Sequence, residues 1–271
     1  MSKNNQPIGV LDSGVGGLTS VVAIRKILDH ENIVYCGDNA NAPYGNRSGQ
    51  EIADLTKKMF TFMQKQNVKA VAVACNTISS TLNSDEYGHY EKDFDFEIID
   101  VISPAVQDVL NKGHDEIGVI ATVFTIKTGR HKSLIQAVRP QAKIYGEPSE
   151  NLAALIEKGD LKSQAIHDDI HKHISNILGA HPDLKEIILG CTHYPIVQDQ
   201  FEAAAPGVQF INPARDQALA VQKYLADNNL LADESQTGGM QIYTSGQEPV
   251  YHIILEELGI PKDFPVHVMQ F

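Results

Sequence analysis

The chain has 271 residues, 42% of them hydrophobic and 21% charged, an ordinary composition for a soluble globular protein of two usual domains or one large one. Its formal net charge of -12 argues against a general nucleic-acid surface, and no apolar run is long enough for a bilayer span. Three cysteines, an odd number without a C-x-x-C, point to neither a disulfide framework nor a zinc ribbon.

Met1 to Pro7 is polar and lacks the apolar region of a signal peptide, so the expected compartment is the cytoplasm. Ile8 to Leu11 reads as a strand, Asp12-Ser13-Gly14-Val15-Gly16-Gly17 as a tight turn, and Leu18 to about Leu28 as a helix. The turn is not a dinucleotide fingerprint, because Thr19 stands where the third glycine belongs, and no Gly-Lys-Ser/Thr follows to make a P-loop. Asn32 to Cys36 is a second strand. It opens into the turn-rich loop Gly37 to Gly45, and Ser48 with Glu51 then forms a capping box for a helix to about Gln66.

Val68 to Ala74 is a strand that ends on Cys75-Asn76-Thr77, followed by a helix to about Asp85. Tyr87 to Phe96 reads as a polar surface insertion, Glu97 to Ile102 as a strand, and Ser103-Pro104 as a helix start. Ile117-Gly118-Val119-Ile120 repeats the Ile8-Gly9-Val10-Leu11 phrase and runs into Thr122 and Thr125. Glu186 to Gly190 is an apolar strand that delivers Cys191-Thr192-His193 at its end, as the earlier strand delivers Cys75. Strands at Gln209 to Ile211, Met240 to Ser245 and near His267 alternate with helices to the C-terminus. This alternation is the pattern of helix-covered parallel sheets, and the echo between halves reads as two copies of one α/β unit.

Ligands in such sheets sit at the carboxyl ends of strands, so two thiols in matching places are candidates to face one substrate. Removing a proton from one face of a carbon and returning one to the other needs a base and an acid on opposite sides. A free thiol at neutral pH is only about 3% ionised, so each cysteine needs a proton partner. Neutral donors near the strand ends, Ser13, Asn76, Thr77, Thr122, Thr125 and Thr192, could hold a small polar substrate, and Tyr44 with Gly45 could complete its pocket.

Asp12-Ser13-Gly14, Pro43-Tyr44-Gly45, Ala74-Cys75-Asn76-Thr77, Thr122 with Thr125, and Gly190-Cys191-Thr192-His193-Tyr194-Pro195 resemble, in this order, the aspartate/glutamate racemase family, and within it the glutamate racemases. The family usually has Gly where Ala121 stands. The resemblance implies an α/β fold of two similar Rossmann-like domains with mainly parallel sheets and the active site in the cleft between them. Residues 1–98 plus 209–271 would form a discontinuous first domain with Asp12 and Cys75, and residues 99–208 the second, with Cys191 and His193. It further implies interconversion of L- and D-glutamate for peptidoglycan, with no cofactor, by a homodimer. The residues themselves add the expectation of no metal, a cytoplasmic compartment, and no contact with nucleic acid or membrane. Cys191 would deprotonate L-glutamate and Cys75 D-glutamate. Resemblance and spacing together pair Asp12 with Cys75 and His193 with Cys191. The auxiliary carboxylate falls on Glu157 or Glu150, with Glu157 favoured.

Other readings stay open. Pocket depth could suit aspartate. The chain could be a binding or regulatory protein that has lost turnover, although both cysteines are present. A Cys-nucleophile hydrolase would leave one cysteine unexplained. Cys36 reads as a packing residue. His167, His171 and His173 have a metal-like spacing but read as a solvated helix face beside Asp168 and Asp169.

Overall fold

The computed structural model describes residues 3–261 and 263–271. In chain order the elements are β1 (Ile8–Asp12), α1 (Leu18–Ile27), β2 (Ile33–Gly37), α2 (Gly49–Lys65), β3 (Ala70–Val73), α3 (Asn76–Ser79), β4 (Glu97–Asp100), α4 (Ile102–Lys112), β5 (Glu116–Thr122), α5 (Val123–Thr128), α6 (Arg130–Val138), β6 (Lys143–Ser149), α7 (Leu152–Glu157), α8 (Gln164–Ala180), β7 (Glu186–Gly190), α9 (Gln198–Ala204), β8 (Gln209–Ile211), α10 (Ala214–Asp227), β9 (Met240–Thr244), α11 (Glu248–Glu257) and β10 (Val266–Val268). Every described strand pairing is parallel. One sheet has the order β10-β9-β2-β1-β3-β4 and the other β6-β5-β7-β8.

The central strands are apolar throughout because helices cover both faces. Alternate residues of one strand enter different cores: Ala70, Ala72 and Ala74 join the core that runs across both sheets, whereas Val71, Val73 and Cys75 join the one under α2. A third core lies on the far face of the smaller sheet, around Val119, Ile188 and Val109. The Ser48–Glu51 capping box is formed and opens α2 as the spacing predicts.

Several expectations change. The stretch from Gln209 to Ile211 pairs with β7, so it belongs to the smaller sheet and not to the first unit. β4 lies wholly in the larger sheet, so a boundary at residue 98 cuts a strand. The chain therefore leaves the larger sheet after Asp100, leaves the smaller one after Ile211, and returns to the larger through β9 and β10. Apolar pattern marks a strand but does not say which edge it joins.

The stretch from Tyr87 to Phe96 is not a mere surface insertion. Tyr90 is buried, and Phe94 and Phe96 meet Phe60 at ring separations of 5.1 and 5.7 Å. The helix after Cys75 stops at Ser79 rather than near Asp85. The Ser80 and Thr81 hydroxyls donate to the carbonyls of Asn76 and Ile78, a local competition that favours turns over helix.

His173 also departs from its solvated-face reading. It is buried, with Nδ1 2.7 Å from Glu147 Oε1 and Nε2 3.2 Å from Asp169 Oδ2, and so ties α8 to β6. His171 lies against His167 with the rings tilted and their centroids 4.2 Å apart. Among the described residues no group of His, Cys, Asp and Glu could hold a metal ion. Cys36 is buried in the core under α2, and no described helix is long and apolar enough to cross a membrane.

Candidate active site

The carboxyl ends of β1, β3, β5 and β7 converge on one cavity of about 180 Å³. Cys75 and Cys191 both line it, one from each sheet. Ser13, Pro43, Tyr44, Gly45, Asn76, Thr77, Thr122, Glu157, Thr192 and His193 share the wall. Asp12 and Thr125 are buried behind it, bonded to residues of the wall. Glu157 reaches the cavity from the end of α7, whereas Glu150 is exposed, so geometry selects Glu157 as the carboxylate of the site.

Each sulfur has its own neighbour. Ser13 Oγ lies 3.5 Å from Cys75 Sγ, and the backbone N–H of Ile78, in α3, also points at that sulfur. Burial first, and then the charge of Asp12, push the Cys75 thiol up to about 12. Cys191 Sγ lies 3.7 Å from His193 Nδ1, and the other ring nitrogen of His193 bonds Glu157 Oε2. Burial alone would lower the His193 pKa, but the charge of Glu157 and the bonds to Cys191 and Glu157 overcome it and hold the ring well above its usual value.

Asp12 accepts from the Gly14 N–H at 2.9 Å and from the Thr192 hydroxyl at 3.0 Å. Burial raises its carboxyl to about 6 against the pull of His193 and these two donors. The Thr192 bond crosses between the two sheets. Thr77, Thr122 and Thr125 make a second crossing, with Thr77 Oγ1 3.0 Å from Thr122 Oγ1 and 3.4 Å from Thr125 Oγ1. Close approach there depends on small residues. A Cβ at Gly45 would stand 2.5 Å from Thr122 Cβ, and one at Gly16 would stand 2.8 Å from the His193 backbone nitrogen.

Tyr44 is fixed by donating to Asp38 Oδ2 at 2.6 Å, and Asp38 in turn accepts from Ser245 at 2.5 Å. Asn76 lines the cavity, and its buried Oδ1 has no partner among the described residues, which leaves it an unpaired acceptor.

A family model described as Asp/Glu/Hydantoin racemase matches residues 18–221. The chain belongs to this racemase family. It is 35% identical to "Glutamate racemase 3" of Caldanaerobacter subterraneus subsp. tengcongensis over 242 residues, 88% of this chain and 85% of that one. The fold is similar to that of glutamate racemase from Francisella tularensis subsp. tularensis in complex with D-glutamate, with a TM-score of 0.85, 29% identity and 98% of both chains covered. It is also similar to a glutamate racemase isoform from Bacillus anthracis, with a TM-score of 0.88, 28% identity, and 99% of this chain and 98% of that one covered.

In this racemase the cavity wall also includes Asn39, Ala42, Ala153, Ala154 and Lys158, which sequence reasoning did not select. Asn39 sits in the Gly37 to Gly45 loop and reads there as a turn former. Its partners, Glu157, Thr244 and Tyr251, are remote in the chain, so no local pattern marks it.

Proposed function

We propose that this racemase interconverts L- and D-glutamate with two thiols acting from opposite faces of the α-carbon. One observation carries the reading: Cys75 and Cys191 share a single cavity, and a different ionisable group acts on each, His193 at 3.7 Å from Cys191 and the charge of Asp12 on Cys75. At neutral pH Cys75, pushed up to about 12, starts as a thiol and is the acid toward L-glutamate. Cys191 is then the base, with charged His193 beside it as counter-charge.

In the forward step the Cα–H bond of L-glutamate breaks and its proton moves to the sulfur of Cys191. The S–H bond of Cys75 breaks in turn and its proton joins the opposite face of Cα, giving D-glutamate. When the reaction starts from D-glutamate, Asp12 takes up the Cys75 proton and charged His193 gives its proton to Cys191, so that Cys75 is the base and the S–H bond of Cys191 then breaks to protonate the opposite face. The neighbouring carboxylate stabilises a carbanion weakly, so the fixed donors of the wall, Ser13, Asn76, Thr77, Thr122 and Thr192, supply the electrostatic support. Both proton transfers are assigned to side chains, without a cofactor. The D-glutamate made serves peptidoglycan synthesis in the cytoplasm.

The test is deuterium uptake at Cα from heavy water, with and without added pyridoxal phosphate, followed by chiral chromatography on glutamate and aspartate. Uptake and inversion of glutamate without the cofactor are expected. Inversion of aspartate alone would overturn the substrate assignment. A homodimer belongs to the same reading, and sedimentation equilibrium showing only monomer with full activity would remove it.

A further inference from the structure

Glu157 uses both carboxylate oxygens inside the protein. Oε2 holds His193 Nε2 and accepts the Val15 N–H at 3.3 Å, and Oε1 accepts from Asn39 Nδ2. The amide of Asn39 can face only one way. A carboxylate has no proton to give, so the edge of Asn39 that meets Glu157 must be the NH2. The other edge, Oδ1, receives the hydroxyl of Thr244 at 2.8 Å and that of Tyr251 at 2.5 Å. Thr244 Oγ1 accepts the Gly246 N–H at 2.9 Å, which leaves its single proton for Asn39. The approach is so close that a Cβ at Gly246 would stand 2.4 Å from Asn39 Cβ.

We propose that Asn39 is a positioning residue for the Cys191 side of the site: oriented by Thr244 and Tyr251, it fixes Glu157, and through Glu157 it sets the His193 ring beside Cys191. The proposal rests on the two-thiol reading above. No proton passes through Asn39, and its contribution is orientation and the placement of one negative charge. The returning segment of β9 and α11 supplies none of the described residues of the cavity wall, yet through Asn39 it reaches a thiol of the site.

Asn39→Asp keeps the size and replaces the donor with a carboxylate facing Glu157. We expect kcat/KM to fall about tenfold, the worth of one hydrogen bond to a charged group. The decisive readout is the primary isotope effect with α-deuterated glutamate. It should rise for L-glutamate, whose proton goes to Cys191, and fall for D-glutamate. Tyr251→Phe removes one of the two donors to Oδ1 and should move both effects the same way, with about a twofold loss of rate.

A folded Asn39→Asp variant with both isotope effects as in the wild type overturns the proposal, whatever its activity. If that variant does not fold, the ratio of the two effects in Tyr251→Phe decides in the same manner. Failure of the underlying reading looks different. Cys191→Ser should raise the effect for L-glutamate, and if it does not, the two-thiol assignment falls regardless of Asn39.

Discussion

The half built on β3 and the half built on β7 share a frame and differ in what stands beside the thiol. The order β2-β1-β3-β4 in one sheet matches β6-β5-β7-β8 in the other. The register matches as well: Gly9 pairs with Val71, four residues ahead of Cys75, and Gly118 pairs with Ile187, four ahead of Cys191. By this register Ser13 corresponds to Thr122, and Thr77 to His193. The Cys191 half thus has an imidazole where the Cys75 half has a hydroxyl. The Cys75 half instead has Asp12 as its ionisable partner, where the register puts Ala121 in the other. A duplicated backbone delivers two sulfurs to one cavity and sets unlike neighbours beside them, and the proposed two-thiol inversion assigns them unlike roles on that ground.

The most severe way to break the comparison is to delete either sulfur. Cys75→Ala and Cys191→Ala should each lower racemisation by more than about 10³-fold, as expected for a lost acid or base. Circular dichroism of the glutamate solution follows the rate, and near wild-type turnover in either variant would end the two-thiol reading. The partners come next. Asp12→Asn and His193→Asn should each cost about 10²-fold in kcat. They should be told apart by isotope effect: His193→Asn raises it for α-deuterated L-glutamate, and Asp12→Asn raises it for the D-isomer. The same asymmetry in both variants would mean that the halves do not divide the work as assigned.

Much of this comparison is legible in the sequence, and the rest is hidden for physical reasons. Cys75 and Cys191 are visible because each follows a run of apolar residues and precedes polar ones, a signal carried by neighbours in the chain. The Gly9 and Gly118 phrases are visible for the same reason. The strand at Gln209 is visible as a strand, yet its sheet is chosen by hydrogen bonds to β7. Tyr90, Phe94 and Phe96 sit in a polar stretch and are drawn inward by Phe60, a partner well back in the chain. His173 has an ordinary helical setting until Glu147 arrives from β6. Asn39 is defined by residues of α7, β9 and α11 that only folding brings near. Local chemistry marks the candidate reacting groups, and tertiary contacts decide what orients them.

A smaller effect separates the halves by pH. Burial raises Asp12 to about 6 from the ordinary carboxyl value of 3.8. Between these values the folded chain binds more protons at this carboxyl than the unfolded chain, so its contribution to stability falls as pH rises. The cost of the buried carboxylate is absent below pH 3.8 and complete above about pH 6. Its size is on the order of 3 kcal/mol. Asp12→Asn should therefore gain stability relative to the wild type as pH rises from 4 to 8, read as the difference in denaturant midpoints. A difference that stays flat across this range would contradict the burial of a titrating Asp12. If Asp12 must be ionised to take the Cys75 proton, as proposed, kcat for D-glutamate in the same window should fall on acidification with a midpoint near 6.

The mildest test concerns the threonine crossing, which joins the halves without touching either sulfur in the described bonds. Thr125 is buried behind the wall, with Oγ1 3.0 Å from Thr122 Oγ1 and 3.4 Å from Thr77 Oγ1. Thr125→Val keeps the shape and removes only the hydroxyl. The direct Thr77–Thr122 contact at 3.0 Å survives, so the crossing is weakened and not cut. The hydroxyl has two such contacts, and at about 1 kcal/mol for each hydrogen bond lost the expected fall in stability is about 1–2 kcal/mol. The wall hydroxyl of Thr122 loses a partner that helps to orient it toward the cavity, so KM should rise by about two- to fivefold. Proton transfer is left to Cys75 and Cys191 with Asp12 and His193 undisturbed, so kcat should stay within about twofold of the wild type. A large fall in kcat with KM unchanged would instead mean that the threonine crossing sets the distance between the two thiols, and that the unlike neighbours of the sulfurs are not the whole difference between the halves.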